Sequence, residues 1–268
     1  MNLASGIPTA KAYADCVASP LFKGLEQYSE AFLRRNRAHL LWYSIRWSED
    51  PLNHPTRRWE YPYTRARLAL ANGRRVLDAG SGITFFPYCL MESNPGVTVT
   101  CCDRDSYVGE VYSRINRNQS SKVAFQQCDL SALPFPDGSF DSVYCISVLE
   151  HTGNRDEIVR EFRRVLKPGG QLIVTFDISL DGTKDIPVDD AKTLLRLLSA
   201  DLNQLDPAAL DVARSDIYLA GNGENGVSAW KLWRQSLGAA KSLLKGRPPH
   251  TSPMTIYCAD FVRPERAE

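Results

Sequence analysis

A series of short apolar runs that stop at or beside an aspartate constrains this chain more than any other feature. RRVLDA (74–79) carries Asp78 into the turn Gly80-Ser81-Gly82, VTVTCC (97–102) stops at Asp103, and VAFQQC (123–128) stops at Asp129. FDSVYCIS (140–147) and QLIVTF (171–176) continue the series, the second preceded by the turn Lys167-Pro168-Gly169-Gly170. Such β-branched, apolar runs bounded by turn residues read as buried strands. Between the last two, Ile158, Phe162, Val165 and Leu166 form one apolar helical face, behind a capping-box-like start at Asn154 and Glu157. Strands interleaved with helices predict a parallel α/β sheet covered on both faces.

The flanks read differently. Residues 1–20 carry little periodicity and are expected to fray. Leu21, Leu25, Tyr28 and Phe32 predict a helix continuing to about Trp47, broken by Asp50-Pro51 and Asn53-His54-Pro55. An aromatic and basic stretch, RRWEYPYTRARL, leads into the first strand. After Phe176, Ala191, Leu194, Leu195 and Leu198 predict a helix, and Asp216 to Leu219 a sixth strand. GNGENG (221–226) reads as a loop, Trp230, Trp233, Leu237 and Leu244 as an amphipathic helix, GRPPHTSP (246–253) as a linker, and MTIYCADFV (254–262) as the last strand.

Composition narrows the class. The chain has 268 residues and a net charge of +1, so no basic excess suggests binding to nucleic acid through phosphate neutralisation. No apolar stretch is long enough to span a membrane or to form a signal-peptide core. The seven cysteines sit mostly in apolar runs and lack zinc spacing, so they read as reduced core thiols in a cytoplasmic protein, with no metal expected.

In open α/β sheets, ligands bind beyond the carboxyl ends of the strands. Gly80 and Gly82 allow a tight turn and a close backbone approach. An acid ending the second strand suits ribose hydroxyls, and a third acid suits an exocyclic amine. The turn reads Gly80-Ser81-Gly82-Ile83-Thr84-Phe85, without the third glycine of a dinucleotide fingerprint. Asp78 would repel a pyrophosphate. The pattern therefore favours a nucleoside with a cationic group.

Taken together, VLDAGSG, CCDRD, CDLSALPFPDGSFDSVYCISVLEH and RVLKPGGQLIVTF resemble the class I S-adenosylmethionine-dependent methyltransferase superfamily, in its small-molecule branch. The resemblance covers residues 74–177. It implies a Rossmann-like doubly wound sheet, mostly parallel with an antiparallel last strand. Residues 1–73 would form a helical lid or substrate-binding segment and residues 74–262 the methyltransferase domain. Within it, 180–253 would be a variable insertion over the substrate side, and 263–268 a tail. The implied cofactor is S-adenosylmethionine, with S-adenosylhomocysteine as product. Asp78, Gly80, Ser81 and Gly82 would surround the methionine moiety, and Asp103 would hold the ribose diol with Arg104 beside the adenine. Asp129 would accept from the adenine amine, Leu130 would supply a backbone contact, and Ser147 would face the transferred methyl. Thr84 and Pro87 depart from the family's usual loop, Pro87 being tolerable near a helix start.

The expected reaction is methyl transfer to a hydroxyl, or an amine, of a small molecule such as a specialised metabolite or sugar. Candidate catalytic residues are His151, as a general base, and Tyr63, which with Tyr61 would position an acceptor. Glu150 reads as structural. Arg57, Arg58, Arg65 and Arg67 either hold an anionic substrate group or form a solvated face. The alternatives are an RNA or protein methyltransferase and a non-catalytic cofactor-binding subunit. Ile146-Ser147-Val148-Leu149, in place of an Asn-Pro-Pro-Tyr-like tetrapeptide, argues against base-amine methylation.

Overall fold

The computed structural model describes residues 3–46, 50–182, 185–220 and 253–265, with side chains omitted at 41–46. Three helices come first: α1 (Ala10–Ala18), α2 (Pro20–Arg46) and α3 (Arg57–Arg67). The alternating part follows as β1 (Arg75–Ala79), α4 (Phe86–Ser93), β2 (Thr98–Asp103), α5 (Ser106–Ile115), β3 (Ala124–Gln127), β4 (Phe140–Ile146), α6 (Arg155–Val165) and β5 (Leu166–Ser179). The chain then adds β6 (Ile186–Pro187), α7 (Val188–Asp201), β7 (Asn203–Gln204) and β8 (Met254–Val262).

The sheet runs β3-β2-β1-β4-β5-β8-β7, with β6 against β5. The first five strands in that order are parallel, and β8 is antiparallel to both β5 and β7. Strand alternation decides what each face buries. Val76, Val99, Cys101, Tyr144 and Ile173 face the cluster that contains Tyr13, Phe22, Trp59, Tyr88 and Val111 of α1 to α5. Leu77, Cys102, Val143, Cys145 and Val174 face Ile158 and Phe162 of α6 and Leu194 of α7. Both faces are covered along β1, β4, β5 and β8, which is why those strands read as apolar runs rather than alternating ones, while the edge strand β3 is largely exposed.

Several expectations need correction. The N-terminal segment does not fray: Leu3 is buried, Gly6 pairs with Cys258, and the Thr9 side chain caps α1. Exposed β8 backbone beyond the short β7 gives this segment its partner. Residues 216–219 make no strand; Ile217 and Ala220 form single bridges to Thr9 and Met254. Asn154 precedes α6, but its side chain makes no capping bond. Leu166 leaves that helix and begins β5, which draws in the Lys167–Gly170 turn through Gly169 and Gly170 bonds to Arg263. The expected helix at 230–244, the 221–226 loop and most of the 246–253 linker lie outside the described residues.

The aromatic, basic stretch before β1 is a helix despite Pro62 in its middle. Proline there removes the bond to the carbonyl four residues earlier. That carbonyl belongs to Arg58, and the Cys16 thiol lies 3.9 Å from it. Burial holds the helix in place, because Arg58 and every residue from Trp59 to Thr64 are buried. Pro87 is better placed, in the first turn of α4.

Arg67 fastens α3 to the sheet. Its Nη2 and Nε reach Asp260 of β8 at 2.8 and 3.0 Å, and Nη2 also meets Asp206 at 3.4 Å. Asp260 is buried. Asp260→Ala is expected to cost about 2–4 kcal/mol of unfolding free energy, since it strips a partly buried guanidinium of its main partner. Chemical denaturation checks this, and a loss near zero would show the pair to be dispensable.

Candidate functional site

β1 and β4 are neighbours in the sheet but leave it in opposite directions, β1 towards β2 and β4 towards β5. A crevice opens at such a reversal of strand order. Here it is a cleft of about 500 Å³ bounded by the turn after β1, the ends of β2 and β3, and the segment after β4.

The turn is built by backbone bonds. Gly80 and Ser81 both donate their N–H to the Cys102 carbonyl, at 2.9 and 3.0 Å. Gly80 holds φ +74°, and a Cβ there would stand 2.6 Å from Val148 Cγ2. No other residue type fits that position without moving the chain. Gly82 then donates its N–H to Asp103 Oδ2 at 3.0 Å. Asp103 Oδ1 accepts from the Asp105 N–H at 3.0 Å, so the carboxylate is fixed from both sides. Asp129 is exposed at the next strand end. The Ser131 backbone N–H and then its hydroxyl hold its carboxyl below the usual range.

Gly80, Gly82, Asp103, Arg104, Asp129, Leu130 and Ser147 all line the cleft, with His151 beside them. Asp78 and Ser81 lie beneath it. Asp78 is buried, with Cys101 of β2 and Tyr144 of β4 opposite it in register and the Cys101 thiol 3.8 Å from its Oδ2. Burial, followed by the Asp103 charge, pushes its carboxyl up to about 7.

The far end of the cleft rests on a buried polar cluster. Ser147 follows β4 with φ +48°, a conformation rare outside glycine. It persists because Ser147 is held on every side. Its N–H donates to the Thr175 carbonyl, its hydroxyl donates to Glu60 Oε1 at 2.6 Å, and Arg57 donates to the same hydroxyl. Glu60 also accepts from Thr175 Oγ1 at 2.6 Å and pairs with Arg57 at 2.5 Å. Burial opposes its ionisation, but the Arg57 charge and the two hydroxyls outweigh that and keep it below the usual range.

Glu150 and Asp177 complete the cluster. The Asp177 N–H donates to Glu150 Oε1 at 3.3 Å, and Asp177 Oδ2 stands 3.7 Å from Arg57. Burial first, then mutual repulsion for Glu150 and the Glu60 charge for Asp177, raises both carboxyls.

The remaining candidates separate. The His151 side chain is 61% exposed and its Nδ1 lies 4.0 Å from Asp185. Partial desolvation lowers its basicity, so it is neutral near pH 7. Tyr63 does not reach the cleft: it is buried beneath α3, with its hydroxyl on Ser5 Oγ at 2.8 Å. Tyr61 packs on Phe85 and Phe86. Neither reading of the arginines as a group holds. Arg57 and Arg67 pair with carboxylates of this chain, and Arg58 donates to the Leu52 carbonyl. The sequence signals Asp177 only as an acid directly after an apolar strand run.

The fold is a Rossmann-like doubly wound sheet with a cleft at its reversal of strand order, and the comparisons say which proteins resemble it. Residues 77–174 match the methyltransferase domain family. The methyltransferase GfsG of Streptomyces halstedii is 35% identical over 121 residues, 44% of this chain and 43% of that protein. The ubiquinone/menaquinone biosynthesis C-methyltransferase UbiE of Cellvibrio japonicus is 32% identical over 115 residues, 42% of this chain and 46% of that protein. The chain thus spans less than half the length of these curated relatives. The [4+2]-cyclase SpnF shares the fold with a TM-score of 0.58 at 20% identity, covering 77% of this chain and 83% of that one. Phosphoethanolamine N-methyltransferase 2 of Haemonchus contortus, solved with S-adenosyl-L-methionine, gives 0.50 at 17% identity, covering 75% and 51%. Residues 77–174 are thus similar to methyltransferase domains, whose methyl donor is S-adenosylmethionine.

The residues present suit that cofactor. Asp103 and Asp129 offer acceptors at two successive strand ends, and the Gly80–Gly82 turn leaves room for close approach. Two outcomes are expected. Gly80→Ala drives a methyl group into Val148 and should weaken S-adenosylhomocysteine binding at least about tenfold by calorimetry; unchanged affinity would mean the turn does not touch the ligand. Asp78→Asn addresses pH. A carboxyl raised when folded stabilises the fold below its unfolded pKa of about 4 and loses that contribution as pH climbs to about 7. The variant should therefore gain in Tm relative to the parent as pH rises from about 4 to about 7, and keep that gain above it. A flat difference would show that Asp78 is not desolvated.

Proposed function

We propose that the chain catalyses methyl transfer from S-adenosylmethionine to a small-molecule acceptor, at a hydroxyl or an amine. The observation that carries this reading is the cleft at the reversal of strand order, with Asp103 and Asp129 at one end and Ser147 and His151 at the other. When bound, the cofactor supplies an electrophilic methyl group on a sulfonium. Asp103 accepts from the ribose diol and Asp129 from the adenine amine, fixing the nucleoside. The buried Asp78 lies under the turn that surrounds the methionine moiety, with its carboxyl raised to about 7 by burial. Ser147 marks the end of the cleft where the acceptor meets the methyl, and alignment of the two reactants there is a main source of rate.

His151 is the general base for a hydroxyl acceptor. It lines the cleft, and it is neutral near pH 7 because desolvation lowers its basicity. Tyr63 has no part in this mechanism, being buried away from the cleft. A private pocket for a small acceptor fits a chain with net charge +1 and an N-terminal helical segment packed against the strand ends.

The deciding experiment is label transfer. Methyl-labelled S-adenosylmethionine is incubated with the protein and an extract of its source, and the products are separated by size. Label should enter the small-molecule fraction. Label confined to RNA or protein would overturn the acceptor class. Asp103→Ala should weaken cofactor binding by about 1–3 kcal/mol, the cost of leaving buried polar groups without partners. His151→Ala should leave cofactor affinity unchanged and lower kcat about 100-fold or more with a hydroxyl acceptor. An unchanged kcat would remove it as the base.

A further inference from the structure

Among the described residues, two that are not glycine hold a left-handed backbone, Ser147 and Asp185. The bonds around Ser147 account for the first. Asp185, at φ +54°, follows β5 and precedes β6, and its conformation costs free energy even though aspartate tolerates it better than most residues. The backbone just beyond it is pinned: Ile186 is fully buried, and β6 pairs Ile186 and Pro187 with Ile178 and Ser179 of β5. Asp185 thus stands on a fixed base with its side chain 15% exposed. A carboxylate so enclosed needs a cation or N–H donors. Among the described residues, its ion-pair neighbour is the His151 ring, with Nδ1 4.0 Å from Oδ1.

His151 is anchored in a similar way. It ends a single 3₁₀ turn, Leu149–His151, in which Leu149 and Glu150 are buried, and its own N–H donates to the Val148 carbonyl. The ring hangs from this turn at the cleft wall. Two pinned stretches of backbone therefore bring a carboxylate beside the imidazole already assigned as base. At 4.0 Å the pair is an ionic contact rather than a hydrogen bond; the ring, 61% exposed, has room to swing closer, and such contacts tighten as a site fills. Asp185 faces Nδ1, so Nε2 is the nitrogen left for the acceptor.

We infer that Asp185 is the positioning residue for His151: it accepts from Nδ1–H and so fixes the ring and the tautomer in which Nε2 is the base. This rests on the methyltransferase reading with a hydroxyl acceptor. In the step itself the acceptor oxygen's electron pair forms the bond to the methyl carbon, the methyl–sulfur bonding pair returns to sulfur, and the hydroxyl proton passes to His151 Nε2. Asp185 keeps its charge and stabilises the imidazolium, which then gives that proton to water. The charge of Asp185 makes the ring more basic, Arg57 of α3 acts in the opposite sense, and Glu60, Glu150 and Asp177 are buried behind Ser147. Removing Asp185 therefore lowers the pKa of His151 and carries the acid limb of kcat to lower pH, while the maximal rate falls because the ring is no longer held.

The test is ¹⁵N NMR of the histidine rings in the full chain, free and saturated with S-adenosylhomocysteine, with His151 assigned by its absence from His151→Gln. The parent should show the Nδ1–H tautomer of His151 once the ring is neutral. Asp185→Gly suits the left-handed backbone and removes the carboxyl. It should lose that tautomer and lower the pKa of His151 by about 0.5 or more. Label transfer to a hydroxyl acceptor should slow about tenfold or more, with KM for S-adenosylmethionine within about twofold. A parent ring protonated on Nε2 would overturn the inference, as would a pKa that Asp185→Gly leaves unmoved or raises, or an unchanged rate of label transfer. If Asp185→Gly does not fold, Asp185→Asn decides by the same pKa shift, since it removes the charge and keeps the shape. Failure to bind S-adenosylhomocysteine would instead overturn the proposed function, and the rings of the free chain would still judge the pair.

Discussion

Glu60 is a fully buried carboxylate shared by three elements. It belongs to α3, pairs with Arg57 of the same helix, and accepts from Ser147 after β4 and Thr175 in β5. A buried charge is tolerable only when it is paired and hydrogen-bonded, so all these partners must stay in place together. That requirement docks the N-terminal helices on the strand ends. It also holds Ser147 in its left-handed conformation and so shapes the far end of the cleft. Removing the Glu60 carboxylate would strand Arg57, release Ser147 and loosen the α3 contact at once.

The three strand-end aspartates divide their work by depth. Asp103 and Asp129 reach the cleft, where nearby N–H groups fix their geometry. Asp78 points into the face packed by α1 to α5, between Cys101 and Tyr144. The same residue type therefore gives two carboxylates at the cleft and one buried beneath the turn. Asp103 and Asp129 line the cleft; Glu150 and Asp177 are buried behind its other end.

Much of the fold could be read from the chain because burial on both faces of a parallel sheet leaves a simple signature. β1, β2, β3 and β4 fall within a residue or two of the expected apolar runs, and the antiparallel last strand lies where it was expected. Errors arose where partners are distant. The 216–219 run looks like a strand, but it makes a single bridge, Ile217 to Thr9, with backbone bonds to Pro8 and Ala10 beside it. Residues 3–9 lack periodicity and are ordered by the edge of β8. Asn154 and Glu157 have capping spacing without the capping bond. In the cleft, Gly80, Gly82, Asp103, Arg104, Asp129, Leu130, Ser147 and His151 converge from the ends of four strands. Tyr63 does not: one turn further along α3 than Glu60, it is buried with its hydroxyl on Ser5.

The chain alone determined the order of strands and helices, the turn that only glycine can make, and the acids that end the strands. These are local properties, set by apolar patterning, backbone freedom and side-chain type. Tertiary structure decided which acids face the ligand, and it brought Glu60, Glu150 and Asp177 into one buried cluster. Their positions in sequence are separated by up to 117 residues (177 − 60). Nothing in local spacing registers such a meeting; the sheet's strand order and the burial of α3 bring it about, and the low dielectric of the interior gives it chemical consequence.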